Sequence, residues 1–294
     1  MKIEKLNEAK VNDFLDYCKK VRGEVDDSFL DDEELKKFQV NELNPTYLLH
    51  NDVSQVIGAI SLIINEKENS GRFRIFHAIS QQIEDYESLF QAIKKQCNMM
   101  KRFYIFIPVE KNKIIHTFKS MNFEVERYAY LLERDDIEIN EPLFPKGFVL
   151  RSLKYDQDEQ DFCHVRNESF KNLIGFEEMT PEMVRQMSTW NDHIDGGILL
   201  LYHQNRPVGT VRIGKERNNN EYYTHIGSLA VIPEYQGKGL GRNLLRAALK
   251  FGRSKNMPKA MLSVNSENEK AVRLYLQEGF HKVQGYVCLD YSKF

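Results

Sequence analysis

The most specific feature of this sequence is the stretch Leu229-Ala-Val-Ile-Pro-Glu-Tyr-Gln-Gly-Lys-Gly-Leu-Gly-Arg242. It begins with the apolar residues of a strand and passes through a glycine-rich loop. The apolar residues that follow recur at three- and four-residue spacing, which predicts a helix from about Leu240 to Ser254. Such a loop lets successive backbone N–H groups point into one concavity at a helix N-terminus, where the helix dipole also favours negative charge. We therefore predict an anion cradle here, best suited to phosphate.

The residues after the loop exclude two common phosphate-binding motifs. The P-loop requires Gly-Lys-Ser/Thr, whereas Gly241 is followed by Arg-Asn. The dinucleotide-binding fingerprint fails because its third glycine would fall on Arg242 and because the next strand ends at Asn265 without an acidic residue. The spacing matches the pattern Gln/Arg-x-x-Gly-x-Gly/Ala instead, with Gln236, Gly239 and Gly241 in register.

At these residues the chain resembles the GCN5-related N-acetyltransferase (GNAT) superfamily, whose pyrophosphate loop for acetyl-coenzyme A (acetyl-CoA) has this form. A second element, Asn268-Glu-Lys-Ala-Val-Arg-Leu-Tyr275 followed by Gly279-Phe280, resembles the family's helix after the fifth strand, which flanks the pantetheine arm. Both motifs occur in the family's order and separation, and the predicted elements from Phe148 to Phe294 cover the whole family domain. The resemblance implies a mixed α/β (α+β) fold with a central mixed sheet flanked by helices.

The resemblance also implies acetyl-CoA as co-substrate and assigns residues to it. Backbone amides along Leu229–Val231 would hold the pantetheine and the thioester carbonyl, as an oxyanion hole does. The implied coenzyme-binding residues are Leu229, Ala230, Val231, Gln236, Gly237, Lys238, Gly239, Leu240, Gly241, Arg242, Asn268 and Ala271. For Lys238 and Arg242, a solvated surface charge is the simpler alternative.

Direct acetyl transfer to an amine needs a base for the ammonium proton and an acid for the departing thiolate. By resemblance the acid is Tyr275, whose hydroxyl would lie near the thioester sulfur; the alternative is a tyrosine packed on the sheet. Strand alternation places His225 on one face with Leu229, where some family members carry a base, and imidazole titrates near neutrality. We predict His225 as the base. Proton relay through water and, more weakly, Glu221 are the alternatives.

The first half of the chain repeats the order of predicted elements more faintly. When its final predicted helix, turn and strand are written against those of the second half at a constant offset, Phe118 pairs with Tyr275 and Asn122 with Gly279. Asparagine and glycine are the residues that most readily adopt the left-handed conformation closing a helix. This internal match indicates a duplication, in which Phe118 lacks the hydroxyl expected of a thiolate acid.

Glycine use differs between the halves: three of the 16 glycines precede residue 147 and thirteen follow from there on. Between the halves, Arg134 to Lys146 combines an acidic run with two prolines, which cannot continue a helix or donate to a central ladder. We therefore predict two tandem GNAT-like domains: residues 1–140 as a degenerate domain without coenzyme and residues 147–294 as the catalytic N-acetyltransferase domain. The segment Ile79–Asp85 lacks glycine and places carboxylates where phosphates would bind.

The composition of the 294 residues, 41% hydrophobic and 29% charged, is that of a globular protein. Since Lys plus Arg number 41 and Asp plus Glu 43, no global positive field would draw the chain to nucleic acid or to an anionic membrane. The longest apolar stretch, Gly58–Ile64, is far shorter than a membrane span, and the polar start lacks a signal peptide's apolar centre, so we expect a cytoplasmic location. The four cysteines form no CxxC pair, which argues against a metal site or a disulfide framework.

The sequence thus predicts an acetyl-CoA-dependent N-acetyltransferase that moves acetyl directly from the thioester to a primary amine of a small molecule, peptide or protein. Two alternatives stay open. One is transfer of another acyl group, because the coenzyme loop does not set acyl length. The other is a non-catalytic acyl-CoA-binding sensor or interaction module. We expect no metal, nucleic-acid or membrane partner, and a homodimer formed through sheet edges stays open.

Overall fold

The computed structural model describes residues 1–218 and 221–292 of the chain. The strands are β1 (Lys2–Lys5), β2 (Thr46–His50), β3 (Val56–Asn65), β4 (Ser70–Ala78), β5 (Arg102–Pro108), β6 (Glu124–Arg134), β7 (Phe148–Ser152), β8 (Ile198–His203), β9 (Arg206–Asn218), β10 (Glu221–Val231), β11 (Ala260–Asn265) and β12 (His281–Ser292). The α-helices are α1 (Val11–Lys20), α2 (Asp32–Lys36), α3 (Ile83–Gln96), α4 (Asn112–Ser120), α5 (Glu159–Phe170), α6 (Pro181–Gln186), α7 (Leu240–Ser254) and α8 (Glu269–Gln277). Short 3-10 turns occur at Glu8–Lys10, Met187–Thr189 and Pro233–Tyr235.

Packing divides the chain into two compact units. The N-terminal unit comprises residues 1–129 with the described residues from 284 on, and the C-terminal unit comprises residues 130–283. This division differs from the linear boundaries that the sequence suggests, because the end of β12 pairs with β5 through residues 286–292 and therefore belongs to the N-terminal unit. The assignment of 1–140 and 147–294 as the degenerate and the catalytic domain stays a prediction.

In the N-terminal unit the strands are ordered β1-β2-β3-β4-β5-β12. Neighbours are antiparallel except β4 and β5, which are parallel and pair only over Ser70–Arg72 and Arg102–Tyr104. The core is rich in aromatic rings, and several of them pack edge to face, a geometry that the ring quadrupoles favour. Phe118, the counterpart of Tyr275, is fully buried in this cluster, with its ring centroid 4.9 Å from that of Phe76.

In the C-terminal unit the order is β6-β11-β10-β9-β8-β7. Strands β10 and β11 are parallel, whereas β10–β9, β9–β8 and β8–β7 are antiparallel pairs. Helix α7 packs on β9 and β10. It spans Leu240–Ser254, as its apolar spacing predicts, because Leu244, Leu245 and Ala248 form one buried face. The approach is close at Gly252, where a Cβ atom would lie only 1.8 Å from the Thr224 hydroxyl oxygen.

The predicted duplication is visible in the turn that closes the last helix of each unit. Asn122 and Gly279 both have left-handed backbones, with φ of 65° and 89°. In both turns the next residue donates its N–H five residues back: Phe123 to the Phe118 carbonyl at 3.1 Å and Phe280 to the Tyr275 carbonyl at 3.0 Å. The pairing of Asn122 with Gly279 at equivalent positions is therefore confirmed.

The proline-containing segment 135–146, which we call the strap, lies along α7. Asn243 in the first turn of α7 holds the Leu143 backbone through two hydrogen bonds, accepting from its N–H at 3.0 Å and donating to its carbonyl at 2.7 Å. At the start of the strap, buried Arg134 donates to the carbonyls of Glu278 at 2.8 Å and Glu138 at 2.9 Å. The strap therefore fixes the start of α7 and the end of α8.

None of the helices among residues 1–218 and 221–292 is long and apolar enough to cross a membrane.

The substitution Gly252→Ala tests the close approach of α7 to β10. Its methyl group would displace Thr224, so we expect the free energy of unfolding to fall by about 1–3 kcal/mol, as overpacking typically costs. Chemical denaturation monitored by circular dichroism measures this change. The double variant Gly252→Ala/Thr224→Ala should recover part of the loss; a single variant as stable as the parent would contradict the contact.

Candidate active site

The pairing of β10 with β11 ends early and leaves an opening between the two strands. They pair at Thr224 with Ala260 and at His225 with Met261, and no further pair forms among the described residues. On the other side of β10, the register with β9 shifts between Gly227 and Ala230, which marks a β-bulge. Bulges re-aim backbone groups. We call the opening between β10 and β11 beyond His225 and Met261 the split. The bulge lies in the part of β10 that faces the split.

The glycine-rich loop after β10 forms an open cradle at the start of α7. Gly237 and Gly239 have φ of 77° and 75°, a conformation that glycine adopts without steric cost. A Cβ atom at either position would meet no atom within 4 Å, so the space beside the loop is free. Helix α7 begins directly after Gly239 with no side-chain cap and no acidic residue in its first turn. Its first N–H groups, which have no intrahelical partner, are therefore available to an anion.

The side chains of the predicted coenzyme loop fall into two groups. Gln236 braces the loop, because its Nε2 donates to the Val231 carbonyl at 2.8 Å. Leu240 is buried in the core, and Gly241 lies where a Cβ atom would be about 4 Å from Leu274 and Val231. These residues shape the loop and place only their backbone beside the cradle.

The two cations of the loop are partly engaged with the protein. Lys238 is exposed, donates to the Glu234 carbonyl at 3.3 Å and lies 4.7 Å from the Tyr235 ring centroid. Arg242 donates to Gln277 and lies 3.3 Å from a Glu278 carboxylate oxygen. Lys238 keeps more freedom to meet an anion, since its contacts are one carbonyl and one ring.

Asn268 and Ala271 start the helix that follows the other strand of the split. The Asn268 side chain caps α8 by accepting a hydrogen bond from the Ala271 N–H at 3.3 Å. This use of Oδ1 leaves the Asn268 amide nitrogen with two donors for a ligand. The sequence motif assigned both residues to the coenzyme, and the structure adds a helix-capping role.

Tyr275 lies one turn beyond Ala271 on α8 and is 8% exposed. Burial raises the pKa of its phenol to about 12, so the hydroxyl keeps its proton at neutral pH. Its ring packs 5.8 Å from that of Phe280, and no described residue forms a hydrogen bond to its hydroxyl. A protonated, unengaged hydroxyl is what a thiolate acid requires.

His225 lies at the point where the split opens, since its Met261 partner is in the last pair of the β10–β11 ladder. Thr224 faces α7, so the alternation of a strand turns His225 to the opposite face. The alternation predicted to continue to Leu229 is interrupted by the bulge after Gly227. Burial lowers the pKa of His225 below its usual 6.5, with a smaller lowering by Arg212 and an opposing effect of Asp192. The imidazole is therefore neutral at pH 7 and able to accept a proton.

The weaker base candidate, Glu221, lies at the exposed start of β10. Its carboxylate forms an ion pair with Lys259 at 2.5 Å. That pairing and its distance along the strand from the split both disfavour it as a base.

Sequence reasoning did not find the ion pair that accompanies His225. Arg212 on β9 is 7% exposed and its Nη2 lies 2.5 Å from Oδ1 of Asp192, while its guanidinium carbon lies 4.9 Å from the Trp190 ring centroid. Asp192 comes from the irregular segment before β8, so no motif or spacing links it to β10. The only hint in the sequence is Gly214, whose missing side chain admits the Asp192 carboxylate.

Among the residues that the structure describes, no group of three or more His, Cys, Asp or Glu side chains is placed to hold a metal ion. The four cysteines, all within the described ranges, are buried thiols. These thiols are Cys18, Cys97, Cys163 and Cys288.

Residues 157–280 match the family model described as the acetyltransferase (GNAT) family. This part of the chain is therefore similar to the GNAT acetyltransferases. The GNAT match begins just before α5 and ends at Phe280, so it includes the split, the cradle and Tyr275. It also includes Asp192 and Arg212.

Several curated relatives carry the name mycothiol acetyltransferase. The protein from Acidimicrobium ferrooxidans is 27% identical over 186 residues, covering 60% of this chain and 58% of the relative. The protein from Acidothermus cellulolyticus is 38% identical over 176 residues, covering 55% and 54%. The chain thus spans little more than half the length of these relatives.

Solved structures extend the likeness to both units. A GCN5-related N-acetyltransferase from Sphaerobacter thermophilus has a TM-score of 0.75 at 15% identity and covers 99% of this chain and 95% of its own. A tandem GNAT protein from the clavulanic acid biosynthesis pathway has a TM-score of 0.74 at 13% identity, covering 99% and 98%. At such identities the likeness concerns the fold alone, and it confirms the predicted tandem GNAT architecture.

The variant Asn268→Ala tests the capping role. Loss of the side-chain acceptor should lower the free energy of unfolding by about 1 kcal/mol, whereas Asn268→Asp should retain the cap and most of the stability. Thermal and urea unfolding of the three proteins give the comparison. Equal stability of the parent and Asn268→Ala would show that Oδ1 contributes no cap.

Proposed function

We propose that this chain is an acetyl-CoA-dependent N-acetyltransferase with one working coenzyme site, located in its C-terminal unit. The observation that carries the proposal is the uncapped start of α7 beside the split between β10 and β11. A pyrophosphate fits the first feature because free N–H groups and the helix dipole favour an anion. An extended amide-containing arm fits the second because unpaired strand edges offer backbone donors and acceptors.

Backbone groups would contact the coenzyme, and side chains would hold that backbone in place. The backbone of residues 237–242 would hold the pyrophosphate, and Leu229–Val231 would present backbone groups to the pantetheine and the thioester carbonyl. Gln236 and Asn268 keep these backbones in place through their bonds to Val231 and Ala271. The coenzyme supplies the activated acetyl group as a thioester.

The chemistry then needs two proton transfers. The amine nitrogen forms a bond to the acetyl carbon and the carbon–sulfur bond breaks. His225, neutral at pH 7, accepts the proton that the amine loses, directly or through water. Tyr275 donates its phenolic proton to the departing thiolate, and solvent restores it. The acceptor that we propose is a primary amine of a small molecule, peptide or protein.

The N-terminal unit supports the proposal of a single site, because its own chain fills the corresponding places. The parallel strands β4 and β5 also separate early, but the Asp26 N–H donates to the Phe106 carbonyl of β5 at 3.1 Å. Arg72 of β4 bonds to the Asp26 carboxylate. The segment around Asp26 thus bridges the two strands where the C-terminal unit is open.

The start of α3 is also unsuited to a phosphate, in contrast to the start of α7. Its first turn carries Glu84 and Asp85, and Ser80 donates its hydroxyl proton to Asp85 at 2.5 Å. Carboxylates here take the favourable position at the helix dipole and repel a phosphate. We therefore propose that the N-terminal unit binds no coenzyme.

A non-catalytic acyl-CoA sensor would need the cradle but neither proton-transfer group. The protonated hydroxyl of Tyr275 and the neutral imidazole of His225 favour the enzyme over the sensor. Release of free thiol on adding an amine to the protein and acetyl-CoA distinguishes the two functions.

Calorimetric titration with acetyl-CoA tests the single site. We expect one site per chain in the parent and none in Gly239→Glu, since the new carboxylate enters the cradle and the left-handed backbone disfavours a side chain. The matched control, Gln82→Glu at the start of α3, should leave the stoichiometry at one. Two sites in the parent would overturn the account of the N-terminal unit, and no binding would overturn the enzyme proposal.

Tyr275→Phe tests the thiolate acid. We expect kcat to fall by about 100-fold or more, as loss of a general acid typically does, with little change in the affinity for acetyl-CoA. The exposed Tyr222→Phe serves as control and should behave as the parent. An unchanged kcat in Tyr275→Phe would remove this residue from the mechanism.

The pH dependence of kcat/KM tests the base. Because burial lowers the pKa of His225, the midpoint of the acid limb should lie below the usual 6.5 of a histidine, and the rate should fall as the pH drops through that midpoint. His225→Ala should lose this acid limb together with most of the rate. A limb that persists in His225→Ala belongs to another group and would contradict the assignment.

A further inference from the structure

The ion pair of Arg212 and Asp192 lies beside Gly214, the residue opposite His225 on the neighbouring strand β9. Gly214 is the direct partner of His225 in the β9–β10 ladder. A Cβ atom on Gly214 would lie 2.7 Å from Oδ2 of Asp192, so the carboxylate occupies the space where a side chain would stand. Opposed residues of an antiparallel pair place their Cβ positions about 5 Å apart on the same face. The Asp192 carboxylate is therefore a close neighbour of the imidazole.

Both members of the pair are fixed by the backbone around them. The Lys215 N–H donates to the Asp192 carbonyl at 2.9 Å, which attaches the segment before β8 to β9. Arg212 lies two residues before Gly214 on the same face of β9 and is nine-tenths buried under Trp190. A bond of 2.5 Å joins Arg212 Nη2 to Asp192 Oδ1.

Arg212 and Asp192 are the charged groups that act on His225 from the elements around it. Its neighbour on β11 is Met261, and its same-face neighbours on β10 are Tyr223, which is 9% exposed, and Gly227, which brings no side chain and leaves open space above the imidazole edge. Helix α5, which also packs on β10, carries one buried and one half-buried charged side chain, and both are bonded elsewhere. Glu159 accepts from the Asp156 N–H at 2.5 Å, and Arg166 donates to the Glu177 carbonyl at 2.7 Å.

We propose that Asp192 and Arg212 are positioning residues that act on His225 with opposite charges. Asp192 holds the guanidinium and offsets its charge, so that the imidazole beside it can take up a proton from the acceptor amine. This inference rests on the proposed function only in giving His225 the role of base. The arrangement itself concerns three side chains and holds whichever amine is the acceptor.

The signs of the two contributions follow from electrostatics. A cation near a histidine disfavours the imidazolium and lowers its pKa, whereas an anion favours it and raises the pKa. Removing the Asp192 charge leaves Arg212 uncompensated and must lower the pKa of His225. Removing the Arg212 charge leaves the carboxylate alone and must raise it. A purely structural role of the pair predicts no such opposition.

Proton NMR titration of the His225 Cε1–H in the full chain tests the proposal without any substrate. The resonance is assigned by its absence in His225→Gln. We expect Asp192→Asn to lower the proton affinity of His225 and Arg212→Gln to raise it, each by about 3- to 10-fold. Arg212→Lys keeps the charge and should remain near the parent, and melting curves identify any variant that fails to fold. Shifts in the same direction for both variants, or no shift in either, would overturn the proposal.

The pH dependence of kcat/KM in the same variants separates this inference from the proposed function. Where His225 is the base, the acid limb moves down in Asp192→Asn and up in Arg212→Gln, in step with the titration. Opposite NMR shifts with an unmoved limb would support the charge pair and overturn His225 as the base.

Discussion

Two parallel strands that stop pairing leave backbone N–H and C=O groups without partners inside a sheet, and such groups must be satisfied by something else. This constraint governs both units. In the C-terminal unit the ladder between β10 and β11 ends after His225 and Met261, and the bulge in β10 lies beyond that point. The cradle, the capped start of α8 and the two candidate proton-transfer groups are all arranged around the resulting split. A ligand with its own amides is the natural partner for its edges.

The N-terminal unit meets the same constraint with its own chain, since the Asp26 backbone bonds to β5 and the Asp26 side chain to β4. Its aromatic core, with Phe118 in the place of Tyr275, has no hydroxyl to offer at the equivalent position. The two units therefore satisfy the unpaired backbone groups of their separating parallel strands in two different ways. The N-terminal solution is closed, whereas the C-terminal one leaves open the site that we propose for the coenzyme.

Much of this could be predicted from the sequence because the deciding features are local. Helix α7, the left-handed turns at Asn122 and Gly279 and the glycine cradle depend on residues a few positions apart, whose conformational preferences act directly. Two features could not be predicted. One is the pairing of the end of β12 with β5 in the N-terminal unit, and the other is the Arg212–Asp192 ion pair. They join residues far apart in the chain, and neither leaves a periodic pattern. The bulge in β10 likewise broke an alternation that the sequence alone made regular.

Hydrogen exchange of the whole chain with and without acetyl-CoA is the sharpest test of a single coenzyme site at the C-terminal split, because it reports which backbone amides the coenzyme covers. We expect slower exchange in peptides that contain residues 227–231 and 237–242, and no change in those that contain residues 79–85 or the segment around Asp26. Protection in the N-terminal unit, or none in the C-terminal split, would contradict this expectation.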